Sequence, residues 1–301
     1  MNRRMFLKRS GGAFLVMANP ASKINNEKLP MVRFGMVTDL HFARTEILWE
    51  RYYDQSAAKL ADAVKTFNNR KLDFVIELGD LKDQGTPPDR QETLEFLKEI
   101  EIVLGKYRGP VYHVLGNHDM DSISKDDFLK NVKNHQQPQA KKYYSFITNG
   151  IKFIVLDANY NEDGADYDSG NFDWTYCKIP EIQIEWLKNE LNTNDLPVIV
   201  FTHQLLDSFS DVPETHFIDN ADEIREILES SKKVLAVFQG HFHDGHYSFR
   251  NGIHYYTMKA MVEKSLPENN SFAIVEVDSD LNIIIEGFYN CEDFELKCGS
   301  Y

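Results

Sequence analysis

The sequence predicts an α/β protein of two packed β-sheets flanked by helices, formed by one domain spanning 31–301. Three observations carry that prediction. The runs Phe74-Val75-Ile76, Val198-Ile199-Val200-Phe201 and Val234-Leu235-Ala236-Val237-Phe238 lack polar alternation, which suits strands covered on both faces. The front of the chain reads strand, helix, strand, helix, strand, whereas the part after His243 holds only short strands. No linker or low-complexity tract interrupts 31–301.

Taken in order, 32–38 is an apolar strand. Segment 46–69 has helical spacing in Leu48, Tyr52, Ala58, Ala61, Val64 and Phe67. A second strand is expected at 74–78. A helix follows at 90–104, with Leu94, Leu97, Ile100 and Leu104 on one face, and then a third strand at 111–115. A helical pattern begins at 122–134. Segments 143–147 and 152–156 form a hairpin around Asn149-Gly150. A helix at 181–191 precedes strands at 197–201 and 234–238, and short strands are expected at 247–249, 253–257, 272–277 and 281–288. The long irregular stretches, 159–180 and 204–219, are of a length that in compact domains is usually functional or disordered.

A chain of 301 residues with 42% hydrophobic and 27% charged residues can bury a sizeable core. Its net charge of -14 argues against a sequence-blind grip on nucleic acid. An acidic protein still binds phosphate esters when metal ions supply the positive charge. Residues 1–22 read as a twin-arginine-like export signal: Arg3-Arg4-Met5-Phe6-Leu7-Lys8, a short apolar stretch, then Pro20-Ala21-Ser22. The stretch is too short for a permanent membrane span. Export to the periplasm or beyond is therefore expected, a basic cytosolic N-terminus being the alternative. Of three cysteines, Cys291 and Cys298 are close enough to bridge in an oxidising compartment, and three free thiols is the equal alternative.

Five short motifs follow apolar strands and end in metal-ligand chemistry: Asp39-Leu40-His41, Gly79-Asp80, Gly116-Asn117-His118-Asp119, Thr202-His203 and Gly240-His241-Phe242-His243. In open α/β sheets, ligands sit beyond the carboxyl ends of strands, so the fold can gather these side chains. The two-residue spacing of Asp39 with His41, and of His241 with His243, lets both members of each pair reach one site. Carboxylate, imidazole and amide oxygen form a mixed O/N donor set that suits divalent Mn, Fe or Zn. His113 and His254 lie within strands and His135 in a polar turn, so they read as structural or solvated.

These residues resemble the calcineurin-like metallophosphoesterase family. The resemblance is carried by Asp39, His41, Asp80, Asn117, His118, His203, His241 and His243. It implies a four-layer αββα sandwich of two mixed sheets between helices. It also implies two divalent ions: one held by Asp39, His41 and His243, the other by Asn117, His203 and His241, with Asp80 bridging. Two ions roughly 3.5–4 Å apart clamp a phosphoryl group and acidify a bridging water, whose hydroxide attacks phosphorus in line. His118, not required as a ligand, is left to protonate the leaving group, and Asp119 would orient its ring. The alternative for Asp119 is a helix N-cap.

Further stretches are similar to the Mn-dependent ADP-ribose/CDP-alcohol diphosphatase branch: Arg51-Tyr52-Tyr53, Pro110 through Asp119, Tyr143-Tyr144-Ser145-Phe146, Phe153 through Asp157, and Gly240 through Gly245. That branch commonly carries glutamine where His41 stands. A purple acid phosphatase would carry a tyrosine ligand at Asp83. The resemblance implies hydrolysis of a phosphodiester or pyrophosphate bond in a small nucleotide conjugate, with an exported phosphomonoesterase as the alternative. A non-catalytic binding module should lack several of the eight residues, and none is missing. His216, His246, Trp174 and Tyr176 are candidate substrate contacts. The aromatics of 159–180 either stack a nucleobase or pack the loop onto the body.

Overall fold

The structure, a computed structural model, describes residues 31–135, 141–209 and 212–297. The export segment 1–22 and Cys298 lie outside the described residues.

The chain forms β1 (Val32–Val37), α1 (Ser56–Asn68), β2 (Phe74–Glu77), α2 (Arg90–Leu104), β3 (Val111–His113), α3 (Lys125–Asn131), β4 (Tyr144–Thr148) and β5 (Ile151–Val155). It continues with α4 (Glu181–Asn192), β6 (Val198–Phe201), α5 (Ala221–Ser231), β7 (Val234–Gln239), β8 (His246–Arg250), β9 (Ile253–Thr257), β10 (Ser271–Val277), β11 (Ile283–Tyr289) and β12 (Phe294–Leu296). Two six-stranded sheets result, ordered β12-β11-β10-β1-β2-β3 and β4-β5-β6-β7-β9-β8. Each is mixed. The first has a parallel β1-β2-β3 core and the second a parallel β5-β6-β7-β9 core, with antiparallel strands at the edges. This is the expected sandwich of two mixed sheets flanked by helices.

The sheets meet through aromatic side chains. Phe34 of β1 stacks on Phe74 of β2 at 4.9 Å and meets Phe153, Phe201 and Phe238 of the other sheet edge-on at 5.8, 5.7 and 5.9 Å. Strand alternation turns the next residue, Gly35, to the opposite face. A Cβ there would crowd the Phe67 ring of α1, so the glycine lets the helix seat closely. Phe67 in turn packs edge-on to Phe272 of β10. Helix α2 starts at Asp89, whose side chain accepts from the Glu92 amide at 2.8 Å, and α3 carries a capping box between Ser124 and Asp127.

Two helical expectations are too long. Only 56–68 of the expected 46–69 is α-helix, entered through a 3₁₀ turn at Tyr53–Gln55. Before it the chain crosses over itself, with Trp49 and Glu50 at positive φ and ladder pairings of Leu48 with Arg51 and of Arg51 with Glu263. The pattern at 122–134 shrinks to α3, preceded by a 3₁₀ turn over His118–Met120. Among the described residues Cys177 and Cys291 are buried and form no disulfide, and the Cys291 Sγ lies 3.4 Å from the Tyr256 hydroxyl. Among the described residues, no helix is long and apolar enough to cross a membrane.

Candidate metal centre

The parallel cores of both sheets deliver their strand ends to one place. Asp39 follows β1, Asp80 follows β2, Asn117 follows β3, His203 follows β6, and His241 and His243 follow β7. The turns after β1 and β2 hold one another: the Asp39 amide donates to the Gly79 carbonyl (3.0 Å) and the His41 amide to the Asp80 carbonyl (2.8 Å). Asp39, His41, Asp80 and His241 all sit at positive φ, between 46° and 68°. Each such residue costs roughly 1–2 kcal/mol of backbone strain, a cost the surrounding hydrogen bonds offset. Gly116 is required for a different reason. A Cβ there would overlap the main-chain nitrogen and carboxylate of Asp80.

Two groups of donor atoms emerge at the strand ends, Asp39, His41 and His243, and Asp80, His203 and His241, and a third, His41, Asp83 and His118, lies beside the first. His41 Nε2 and His243 Nε2 face each other at 3.2 Å, and His243 Nε2 lies 3.5 Å from Asp39 Oδ1. The Oδ2 atom of Asp80 lies 3.5 Å from His41 Nε2 and 3.1 Å from His203 Nε2, so it is shared by the two groups. His203 donates its Nδ1 proton to the Leu78 carbonyl (2.8 Å), which leaves Nε2 turned to the carboxylates. Asn117 Oδ1 and His241 Nε2 are buried without any hydrogen-bond partner, and His203 Nε2 has only the Asp80 carboxylate beside it.

The charges fit this picture. Burial works to raise the Asp39 carboxyl, but the His243 and His41 contacts and the His203 charge outweigh it and hold it well below the usual range. Asp80 is likewise held low against burial, by the charges of His203 and His118. Burial works to lower His203, yet Asp80 and Asp39 push it up to about 9. His241, buried and repelled by His203, is held well below its ordinary value. Without cations, protons on imidazoles therefore balance the clustered carboxylates.

His118 stands at the rim, with 33% of its side chain exposed. Its Nδ1 meets Asp83 Oδ1 at 3.2 Å, while the other oxygen of Asp83 meets His41 Nδ1 at 3.3 Å. Burial works against a charge on His118, but Asp83 and Asp80 push it up to about 10. This corrects the assignment of Asp119 as the residue that orients the ring. The Asp119 carboxylate accepts from the main-chain amides of Gly116 (2.8 Å), Leu81 (3.0 Å) and Asp80 (3.2 Å), so it knits the two turns together. Nor is it a helix cap, since Ser124 caps α3. Asp83 was foreseen only as the place where a tyrosine ligand is missing. Its position three residues after Asp80 was the available signal.

Glu263 had no signal at all. Its Oε1 accepts from His243 Nδ1 at 2.5 Å and pairs with Arg51 Nε at 3.4 Å. A cavity of about 480 Å³ opens beside His118 and Asp83, walled by Trp49, Arg51, Tyr53 and Pro88.

The substrate-contact candidates divide. Trp174 is 47% exposed and packs edge-on to His216 at 5.6 Å, and His216 lies 5.3 Å from the His241 ring. Tyr176 reaches Asp219 through its hydroxyl (3.4 Å), and His246 stacks on Phe209 at 3.4 Å. Tyr160 and Tyr167 are buried, Tyr167 stacking on Phe172 at 4.5 Å, so these aromatics pack the loop onto the body. Lys125 pins the same loop through the Asn159 carbonyl (2.8 Å) and Asp166 (2.9 Å). His113 and His254 are buried within strands and His135 is exposed in its turn.

Known proteins match this chain along most of its length. A manganese-dependent ADP-ribose/CDP-alcohol diphosphatase of Arabidopsis thaliana is 27% identical over 308 residues, covering 88% of this chain and 97% of the relative. A 3',5'-cyclic-nucleotide phosphodiesterase of a Nostoc species is 25% identical over 252 residues, covering 83% and 85%. Among solved structures, a dimetal phosphatase from Danio rerio superposes with a TM-score of 0.74 at 20% identity, covering 90% of this chain and all of that one. The model of the calcineurin-like phosphoesterases matches residues 32–245, which hold every strand-end residue described above. With the two-sheet sandwich and the donor cluster in place, the chain belongs to the calcineurin-like phosphoesterase family.

Proposed function

We propose that this metal-dependent phosphoesterase cleaves the pyrophosphate or diester linkage of a small nucleotide conjugate. Asp39, His41 and His243 would hold one divalent cation and Asn117, His203 and His241 the other, with Asp80 offered to both. The observation that carries the reading is the Asp80 Oδ2 atom shared by His41 and His203, beside two orphaned buried atoms, Asn117 Oδ1 and His241 Nε2. A buried polar atom left without a partner costs about 1–3 kcal/mol, and cation ligation removes that cost. The mixed N/O donor set fits manganese, the ion in the name of the Arabidopsis relative.

When bound, the two cations supply Lewis acidity to the phosphoryl group and to the attacking water. The chain's own groups do the rest. Asp80, ionised despite its burial, places its carboxylate between the two donor sets. Asp83 holds His118 by Nδ1, so Nε2 is the atom that carries a proton to the leaving oxygen. The 480 Å³ cavity beside His118 accommodates the departing group. Trp174 and His216, packed in a row against His241, are the side chains that contact the retained portion.

The test is a panel of ADP-ribose, CDP-choline, a bis-aryl phosphodiester and a mono-aryl phosphate with added Mn²⁺. Turnover is expected on the diphosphates or the diester. Exclusive turnover of the monoester would replace this reading with a phosphomonoesterase, and no turnover of any substrate would end it. Export is part of the same proposal, supported by Arg3-Arg4 and the apolar stretch behind them. Replacing both arginines by lysine should retain the chain in the cytoplasmic fraction.

A further inference from the structure

Segment 260–264, between β9 and β10, touches three parts of the site through its main chain. The Ala260 amide donates to the His243 carbonyl (3.0 Å), Met261 to Thr38 (3.1 Å) and Val262 to Asp39 (3.0 Å). On its other side Lys264 donates to the Glu50 carbonyl (2.8 Å), and Val262 accepts from the Tyr52 amide (3.1 Å). The segment is thus a strap across the Asp39 turn, the His243 turn and the loop that walls the cavity.

Lys59 of α1 holds this strap. The lysine is fully buried, and its ammonium lies 2.8, 3.2, 2.9 and 2.6 Å from the carbonyl oxygens of Met261, Val262, Glu263 and Lys264. Fully buried lysines are rare unless something answers the charge. Here four consecutive carbonyls share three protons, which fixes the path of the strap. Glu263 projects from the middle of it. By accepting the His243 Nδ1 proton, Glu263 sets the tautomer and leaves the Nε2 lone pair facing Asp39 and His41.

We propose that Lys59 and Glu263 are positioning residues for one cation site, Lys59 acting through the strap to hold Glu263 against His243. The proposal rests on the reading of His243 as a ligand. Carboxylates behind metal-bound imidazoles are typically worth about 10- to 100-fold in metal affinity. The neighbouring site has its own support, the His203 bond to Leu78.

The experiment is calorimetric titration of Mn²⁺ into the metal-free full chain: wild type, Glu263→Gln, Lys59→Gln and the double variant. Melting temperatures of the metal-free forms, and absorption spectra of the Co²⁺-loaded forms, accompany it. Wild type should take up two ions. Glu263→Gln should weaken one of them about 10- to 100-fold and alter one Co²⁺ signature, leaving the other site unchanged. Lys59→Gln should weaken the same site, and the double variant should be no weaker than the worse single one, because both act through one contact. Variants that bind both ions with wild-type affinity would overturn the strap alone. So would equal weakening of both sites, or additive losses in the double variant. If Lys59→Gln does not fold, Glu263→Gln beside Glu263→Ala carries the decision by the same criteria. A wild-type chain that binds fewer than two ions would overturn the metal-centre reading and the strap together.

Discussion

Replacing Asp83 by asparagine removes one negative charge and keeps the shape of the side chain. Asp83 stands 3.2 Å from His118 Nδ1 and 3.3 Å from His41 Nδ1, and one amide oxygen can accept from only one of them. Two unit charges at that separation attract by about 5 kcal/mol at an effective dielectric near 20. A third of the His118 side chain meets solvent, so screening reduces this to about 2 kcal/mol. That corresponds to roughly 1–2 pKa units. In the metal-free chain His118, now pushed up to about 10, should therefore titrate about 1–2 units lower, which an imidazole NMR titration reads directly. Because the protonated ring is the acid, the alkaline limb of kcat against pH should move the same way. Rates should fall about 10- to 100-fold on substrates with poor leaving groups, and little on an activated aryl diester, whose leaving oxygen needs no proton. A variant with the wild-type His118 titration and wild-type rates on both substrates would refute the assignment of Asp83.

Cation uptake should release protons, because His203, pushed up to about 9, is charged in the metal-free chain at neutral pH and must give up its Nε2 proton to ligate. Calorimetry in buffers of different ionisation enthalpy counts those protons, and Mn²⁺ affinity should rise with pH up to about 9. His113, buried on β3, is paired with Glu101 at 2.7 Å and is raised because that partner and Asn134 outweigh its burial. A raised folded-state pKa stabilises fully below the unfolded value near 6.5 and less as pH climbs through the folded value. The stability lost in His113→Gln, measured by urea unfolding with chelator present, should therefore be greatest in acid and shrink on raising the pH. Phe34→Ala empties the contact between the sheets and should cost about 3–5 kcal/mol. A loss under about 1 kcal/mol would mean that the sheets meet elsewhere.

The strand ends were legible because each ligand follows directly on the apolar run that places it. Val37 leads to Asp39 and Phe201 to His203 with no intervening fold-dependent step. The alternation of strands and helices at the front likewise gave the parallel β1-β2-β3 core. What failed depended on contacts between distant segments. Leu48 and Tyr52 mimic a helical stripe, yet 48–51 is shaped by pairing with Glu263, more than two hundred residues away. Adjacency in sequence suggests that Asp119 pairs with His118. The 3₁₀ turn instead sends its carboxylate down to the amides of the Asp80 turn and leaves the ring to Asp83. Glu263 and Lys59 belong to no local pattern, since a carboxylate in a loop and a lysine on an amphipathic helix ordinarily point to solvent.

The most direct measurement is ADP-ribose hydrolysis by the full chain after chelation and after Mn²⁺ is restored, alongside Asn117→Ala. Asn117 supplies an orphaned buried oxygen and has no side-chain capping role, so its loss should spare the fold and cripple the centre. Turnover should vanish on chelation, return as two ions bind, and be lower in the variant by at least about 100-fold, the loss of about 2.7 kcal/mol of transition-state stabilisation. Hydrolysis that survives chelation, or that Asn117→Ala leaves undiminished, would contradict a two-cation phosphoesterase centre at these strand ends.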